Sequence, residues 1–189
     1  MKKSHYTTVI VLILFVILFI TENHAQSFKN LDESPHDISY YRENRVMPPI
    51  IKVTYGRPLL NREKAFGDQI PFNKVWRTGA NEATEVKFYS DVVFGNQLIK
   101  AGTYVLITIP GEEEWEVILN KNLDVWGAFQ YDPNADIVKI KVPVSKAERL
   151  EVFSIAFKRI NDEIQMVLGW DSTRVKIPLK IKDIVVAKL

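Results

Sequence analysis

The chain has 189 residues, of which 47% are hydrophobic and 25% charged, with a formal net charge of +2 and no cysteine. That length and composition suit one globular domain with a real core. The near-neutral charge, with no basic helix, excludes an electrostatic footprint for nucleic acid. The missing thiols exclude a disulfide scaffold, a cysteine nucleophile, a thiolate metal site and a lipid-modified cysteine.

Lys2 and Lys3 open the chain, and residues 9–20 are an unbroken apolar run. A short polar stretch then ends in the small residue Ala25. This is the pattern of an export signal over residues 1–25, and the run falls short of the about twenty apolar residues a bilayer span needs. An uncleaved anchor is the alternative. The expected location is therefore the periplasm or the exterior, with the membrane met only through this segment if it is kept. Residues 26–36 are polar and read as a linker, residues 37–182 as a single domain and residues 183–189 as a tail.

Within the domain, residues 38–41 form a weak strand candidate and residues 50–55 a stronger one, with Ile51, Val53 and Tyr55 on one face. Gly56-Arg57-Pro58 breaks it. Residues 59–74 then read as a long ordered loop, either a lid with Phe66, Ile70 and Phe72 as plugs or a wall of a site. Further strands are expected at 84–89, 102–109 and 115–120, with a tight hairpin over 92–99 whose turn is Gly95-Asn96. Trp115, Val117 and Leu119 alternate there with Glu116, Ile118 and Asn120. Residues 121–135 are irregular and carry Trp126, Phe129 and Tyr131. Four more strands are expected at 137–142, 150–157, 164–170 and 173–181, with Asn161-Asp162 as a turn. Roughly eight to ten short strands with frequent turn signals, and no amphipathic helix, make the fold all-β. The expected architecture is a mainly antiparallel β-sandwich or jelly-roll-like body with one long loop between early strands.

One stretch concentrates ligand-facing groups: Val75-Trp76-Arg77-Thr78-Gly79-Ala80-Asn81-Glu82-Ala83-Thr84. A glycine turn at Gly79 would use backbone freedom that other residues lack and bring Arg77 toward Glu82. Asn81 adds an acceptor and two donors, and Trp76 a flat apolar wall. The competing reading is structural, with Arg77 and Glu82 paired, Asn81 closing the turn and Trp76 in the core.

Several stretches together resemble the bacterial family called domain of unknown function 2911. They are Val53-Thr54-Tyr55-Gly56-Arg57-Pro58, Phe66-Gly67 with Ile70-Pro71, the Trp76–Glu82 stretch, Ala101-Gly102-Thr103-Tyr104, and Trp126-Gly127 with Tyr131-Asp132-Pro133. The resemblance spans residues 34–182. It implies an exported protein, commonly of Bacteroidetes-type bacteria, and no established activity. It places emphasis on loops and strand ends, where binding residues gather.

Other chemistries find little support. His36 is the one histidine after the export segment, so a zinc or iron site is not expected. No Gly-x-Ser-x-Gly elbow or phosphate-binding glycine loop is present, and no cofactor is implied. Asp132-Pro133-Asn134-Ala135-Asp136 has the oxygen spacing of a calcium loop but not the glycine of an EF-hand, and reads as a turn. Glu82 with Glu85, Asp91 or Asp132 would serve glycoside hydrolysis if two carboxyls lay about 5–10 Å apart across a groove. The reading that follows is a non-enzymatic exported protein binding a small polar or carbohydrate-like ligand through Arg57, Trp76, Arg77, Asn81, Glu82, Trp126 and Tyr131. Its rivals are a hydrolase with Glu82 as acid or base, and a structural or interaction protein of the cell envelope.

Overall fold

The computed structural model describes residues 30–182. The expected export signal, the first residues of the expected linker and the tail at 183–189 lie outside them. The strands are β1 (His36–Tyr41), β2 (Ile51–Gly56), β3 (Glu85–Phe88), β4 (Val92–Phe94), β5 (Gln97–Ile99), β6 (Gly102–Ile109), β7 (Glu114–Asn120), β8 (Asp136–Ile160) and β9 (Glu163–Ile181). They form one antiparallel nine-stranded sheet in the order β1-β2-β3-β6-β7-β8-β9-β4-β5. The all-β expectation is met.

Two strands are far longer than their neighbours. β8 pairs with β7 as far as Pro143 and with β9 from Val144 onward. Its register with β9 shifts between Lys146 and Leu150 and again between Leu150 and Ser154. Bulges of this kind bend a strand and raise its twist, so β8 carries the sheet over on itself into a sandwich. Sequence periodicity divides β8 into strands at 137–142 and 150–157, and β9 into strands at 164–170 and 173–181. The structure corrects both. The apolar alternation lapses over the exposed residues around Lys146, but main-chain pairing runs on, Lys146 facing Thr173.

The core is the inner face of the folded sheet. Ile51, Val53 and Tyr55 of β2, Val117 and Leu119 of β7, Phe153 and Ile155 of β8 and Ile177 and Leu179 of β9 all point into it. At its centre is a set of rings in contact: Phe66 with Trp115 at 4.7 Å, Trp76 with Phe153 at 5.1 Å, and Trp76 stacked on Trp170 at 6.1 Å. A smaller apolar layer lies on the outer face of β6 and β7, where Ala83 and Val125 cover Val105, Ile107 and Ile118. That cover buries Ile118, and Asn120 is buried where its amide donates to Asp132 O and Asp136 Oδ1, both positions that strict alternation sends to solvent.

The loop between β2 and β3 supplies Phe66 to the central rings and leaves Phe72 half-buried against them. It is therefore part of the core. Phe66→Ala is expected to cost about 3–5 kcal/mol, read as a lower urea midpoint with an unchanged slope.

Candidate functional site

The residues 75–84 are held by main chain before side chains matter. Trp76 N donates to Thr108 O at 2.7 Å and Thr108 N donates back to Trp76 O at 3.0 Å, which extends the ladder of β6 past the end of β3. The Trp76 indole then donates to Gly79 O at 3.0 Å. The left-handed backbone in this turn belongs to Thr78 (φ 59) and Asn81 (φ 60), not to Gly79 as the sequence suggests. Gly79 is required for closeness instead. A Cβ there would lie 2.9 Å from Gly56 O, and one on Gly56 would lie 2.0 Å from Ala80 O.

Thr78 is the strained position, because a β-branched residue at positive φ is an outlier. Its surroundings hold it there. Its hydroxyl bonds Thr108 Oγ1 at 3.0 Å, and the Thr84 hydroxyl donates to Thr78 O at 2.8 Å. All three threonines are fully buried.

The expected ligand-binding residues separate. Arg57 ties strands together, donating to Asp37 at 2.9 Å, Phe153 O at 3.1 Å and Ser154 Oγ at 2.9 Å. Asn81 donates to Asp32 Oδ1 at 3.1 Å and Ser34 O at 3.3 Å, fastening the stretch before β1. Trp76 is core. Arg77 is half-buried, and its buried Nε has no hydrogen-bond partner among the described residues. Its guanidinium lies against Gly127, where a Cβ would come 2.9 Å from Nη1. Arg77 and Glu82 do not pair. Glu82 Oε2 instead lies 3.1 Å from His36 Nε2. Trp126 is 52% exposed, with Phe129 also open to solvent. Tyr131 donates to Asp136 at 2.7 Å, and burial followed by that carboxylate pushes its phenol up, so it stays a donor.

Glu82 belongs to a cleft of about 420 Å³ lined by His36, Thr54, Glu82, Ala83, Glu85, Asp124 and Val125. Sheet register explains the set. His36 opens β1 opposite Gly56, while Thr54 of β2 faces Glu85 of β3. The 121–135 stretch closes the other side, where Ala83 N donates to Val125 O at 3.0 Å. Asp124 N lies 3.4 Å from Glu85 Oε1. The result is a floor of Ala83 and Val125 beneath carboxylates and an imidazole, a surface rich in acceptors. Of the two other carboxylates considered beside Glu82, Asp91 pairs with Lys100 at 2.9 Å and Asp132 caps a 3-10 turn through Asn134 N at 2.9 Å. Neither lines the cleft. No group of three or more His, Asp or Glu among the described residues is arranged to hold a metal ion.

Reading the sequence places His36 in a linker and overlooks Thr54, Asp124 and Val125. The outward-facing position of Glu85, between inward Val86 and the preceding turn, was the available signal.

A family model described as "Protein of unknown function (DUF2911)" matches residues 38–179, and the chain belongs to that family, as its motifs imply. Comparison with curated proteins and with solved structures finds no match.

Asn81 separates two effects in one residue. Asn81→Ala removes both side-chain bonds and keeps a Cβ at positive φ, whereas Asn81→Gly removes the bonds and the Cβ together, relieving the left-handed backbone. The alanine variant is expected to be the less stable by about 1 kcal/mol, measured by chemical denaturation. Equal stabilities would mean that the turn relaxes out of the left-handed region.

Proposed function

We propose that this member of the family is an exported, non-catalytic protein that binds a small polar or carbohydrate-like ligand in the cleft between β1, β2, β3 and the 121–135 stretch. The observation that carries this reading is the convergence of Glu82, Glu85, Asp124 and His36 on one volume over an apolar floor. Such a surface calls for a ligand that donates hydrogen bonds, through hydroxyls or an amine, and has an apolar face to lay on Ala83 and Val125. The volume falls within the range of about 300–1,000 Å³ usual for small-molecule sites. Export is supported by the two lysines and the apolar run that begin the chain.

Glu82 and Glu85 on the same cleft also favour a hydrolase reading, one carboxyl acting as acid and the other as base or nucleophile. The two readings part at turnover. A glycosidase loses activity on a chromogenic glycoside in Glu82→Gln, whereas a binding protein shows no turnover to lose.

The binding reading is tested by a thermal-shift screen of sugars, amino sugars and polyamines, followed by calorimetry on the hits. Glu82→Gln and Glu85→Gln are each expected to weaken binding by about tenfold. Ligands whose affinity is the same in both variants and in the parent protein would remove the cleft from consideration.

A further inference from the structure

The turn joining β1 to β2 carries apolar side chains that the core does not use. Val46 is 91% exposed and Met47 49%. Hydrogen bonds hold them out: Asn44 Oδ1 accepts from Val46 N and from Met47 N, each at 3.1 Å, and Arg42 Nη1 donates to Met47 O at 2.8 Å.

The same end of the sheet is basic. Register sets Tyr40 of β1 opposite Lys52 of β2, and Lys52 opposite Lys87 of β3. Alternation turns all three outward, with Tyr40 and Lys87 exposed and Lys52 half-buried. Like charges directly opposite on neighbouring strands destabilise a sheet. Among the described residues neither lysine forms an ion pair or a side-chain hydrogen bond. Lys87 lies over the exposed Tyr89 ring at 4.8 Å, and Arg42 over the Tyr40 ring at 4.7 Å. Arg42 thereby joins this patch to the turn, since it also holds Met47. Arg45 is exposed beside Val46, again with no ion pair among the described residues. The acid of the turn, Glu43, is engaged with Arg159 at 2.6 Å.

An apolar tip with tyrosines and uncompensated cations around it matches the layers of a bilayer surface. A soluble polyanion accounts for the lysines but not for Val46. An apolar protein partner accounts for Val46 but not for the cations. We propose that this end of the sandwich docks on an anionic phospholipid surface: Val46 and Met47 enter the acyl boundary, Tyr40 and Tyr89 lie at headgroup level, and Arg42, Arg45, Lys52 and Lys87 meet the phosphates. The contact is separate from any made by residues 1–25 and shares no residue with the lining of the cleft.

The chain has no cysteine, so a single introduced one carries an environment-sensitive dye to a chosen place. In the full chain the dye is attached at Val46→Cys and, for comparison, at Glu112→Cys, which follows β6 at the end remote from the turn. Any contribution of residues 1–25 is common to both. Each is titrated with vesicles of phosphatidylcholine alone, with vesicles also containing phosphatidylglycerol, and with dextran sulfate. The expected result is a saturable blue shift at position 46, with quenching by nitroxide-labelled lipid, on the anionic vesicles only. High salt is expected to weaken it. Lys52→Gln and Lys87→Gln, which break no side-chain bond, are each expected to raise the lipid concentration at half-saturation by about fivefold. The proposal is overturned if the dye at position 46 stays in water on anionic vesicles, or if position 112 shifts equally. It is also overturned if phosphatidylcholine alone or dextran sulfate shifts position 46 as far, or if both lysine variants bind as the parent does.

Discussion

The two-way hydrogen bond between Trp76 and Thr108 is the constraint on which the molecule turns. It fixes where the chain leaves the long loop and joins the sheet. Once Trp76 is seated beside β6, its ring has one place to go, inward against Phe153 and Trp170. The following turn is then forced to fold back in the few residues before β3. That compression explains the bare main-chain contact of Gly56 with Gly79 and Ala80 and the buried threonines that hold Thr78 at positive φ. Glu82 and Ala83 emerge from it beside Thr54 and Glu85, which makes the cleft a by-product of how the core is closed.

Most strands were legible because one face of each is buried and alternation shows it, as in β2 with Ile51, Val53 and Tyr55. Alternation fails where both faces are covered. Ile118 is covered by Ala83 and Val125 and Asn120 is tied to Asp132 and Asp136, all outside β7, and no pattern within the strand records that. It also fails where main-chain pairing outlasts apolar patterning, which is how β8 and β9 came to be divided. The motif around Trp76 was visible as an unusual cluster of residue types, yet residue types do not say where a side chain is spent. Arg57 and Asn81 tie main chain together, and only Glu82 among the expected binding residues reaches the cleft. His36 joins it through register between β1 and β2, a long-range fact that a local reading assigns to a linker.

The long loop shows how a segment outside the strands can complete a core. Phe66 is a plug for the central rings, and its edge contact with Trp115 is part of the core. Because Phe66 enters from a loop and not from a paired strand, the space beside it is not filled by a neighbouring strand's side chains. Trp115 is thereby buried with its ring packed and its N–H unmet.

Left-handed backbone occurs on the wall of the cleft and of a second cavity beside the long loop. Among the described residues, the non-glycine ones at positive φ are Asn73, Thr78, Asn81, Asp124, Asn161 and Asp171. Asn161 has an ordinary reason, the turn joining β8 to β9. Asp124 lines the cleft and Asp171 lines the second cavity. Asx residues reach this conformation at little cost, so their presence alone would mean only a tight bend. What distinguishes these two is that each bend leaves its residue on a cavity wall. Asp171 accepts only at the long end of hydrogen-bonding range, and Asp124 N bonds the Glu85 carboxylate while, among the described residues, the Asp124 carboxylate itself makes no hydrogen bond or ion pair. A carboxylate used to stabilise its own turn bonds the backbone two residues on, as Asp132 does with Asn134 N. Asp124 and Asp171 do not, so their left-handed backbone is held by the strands and loops that flank them and not by their own carboxylates.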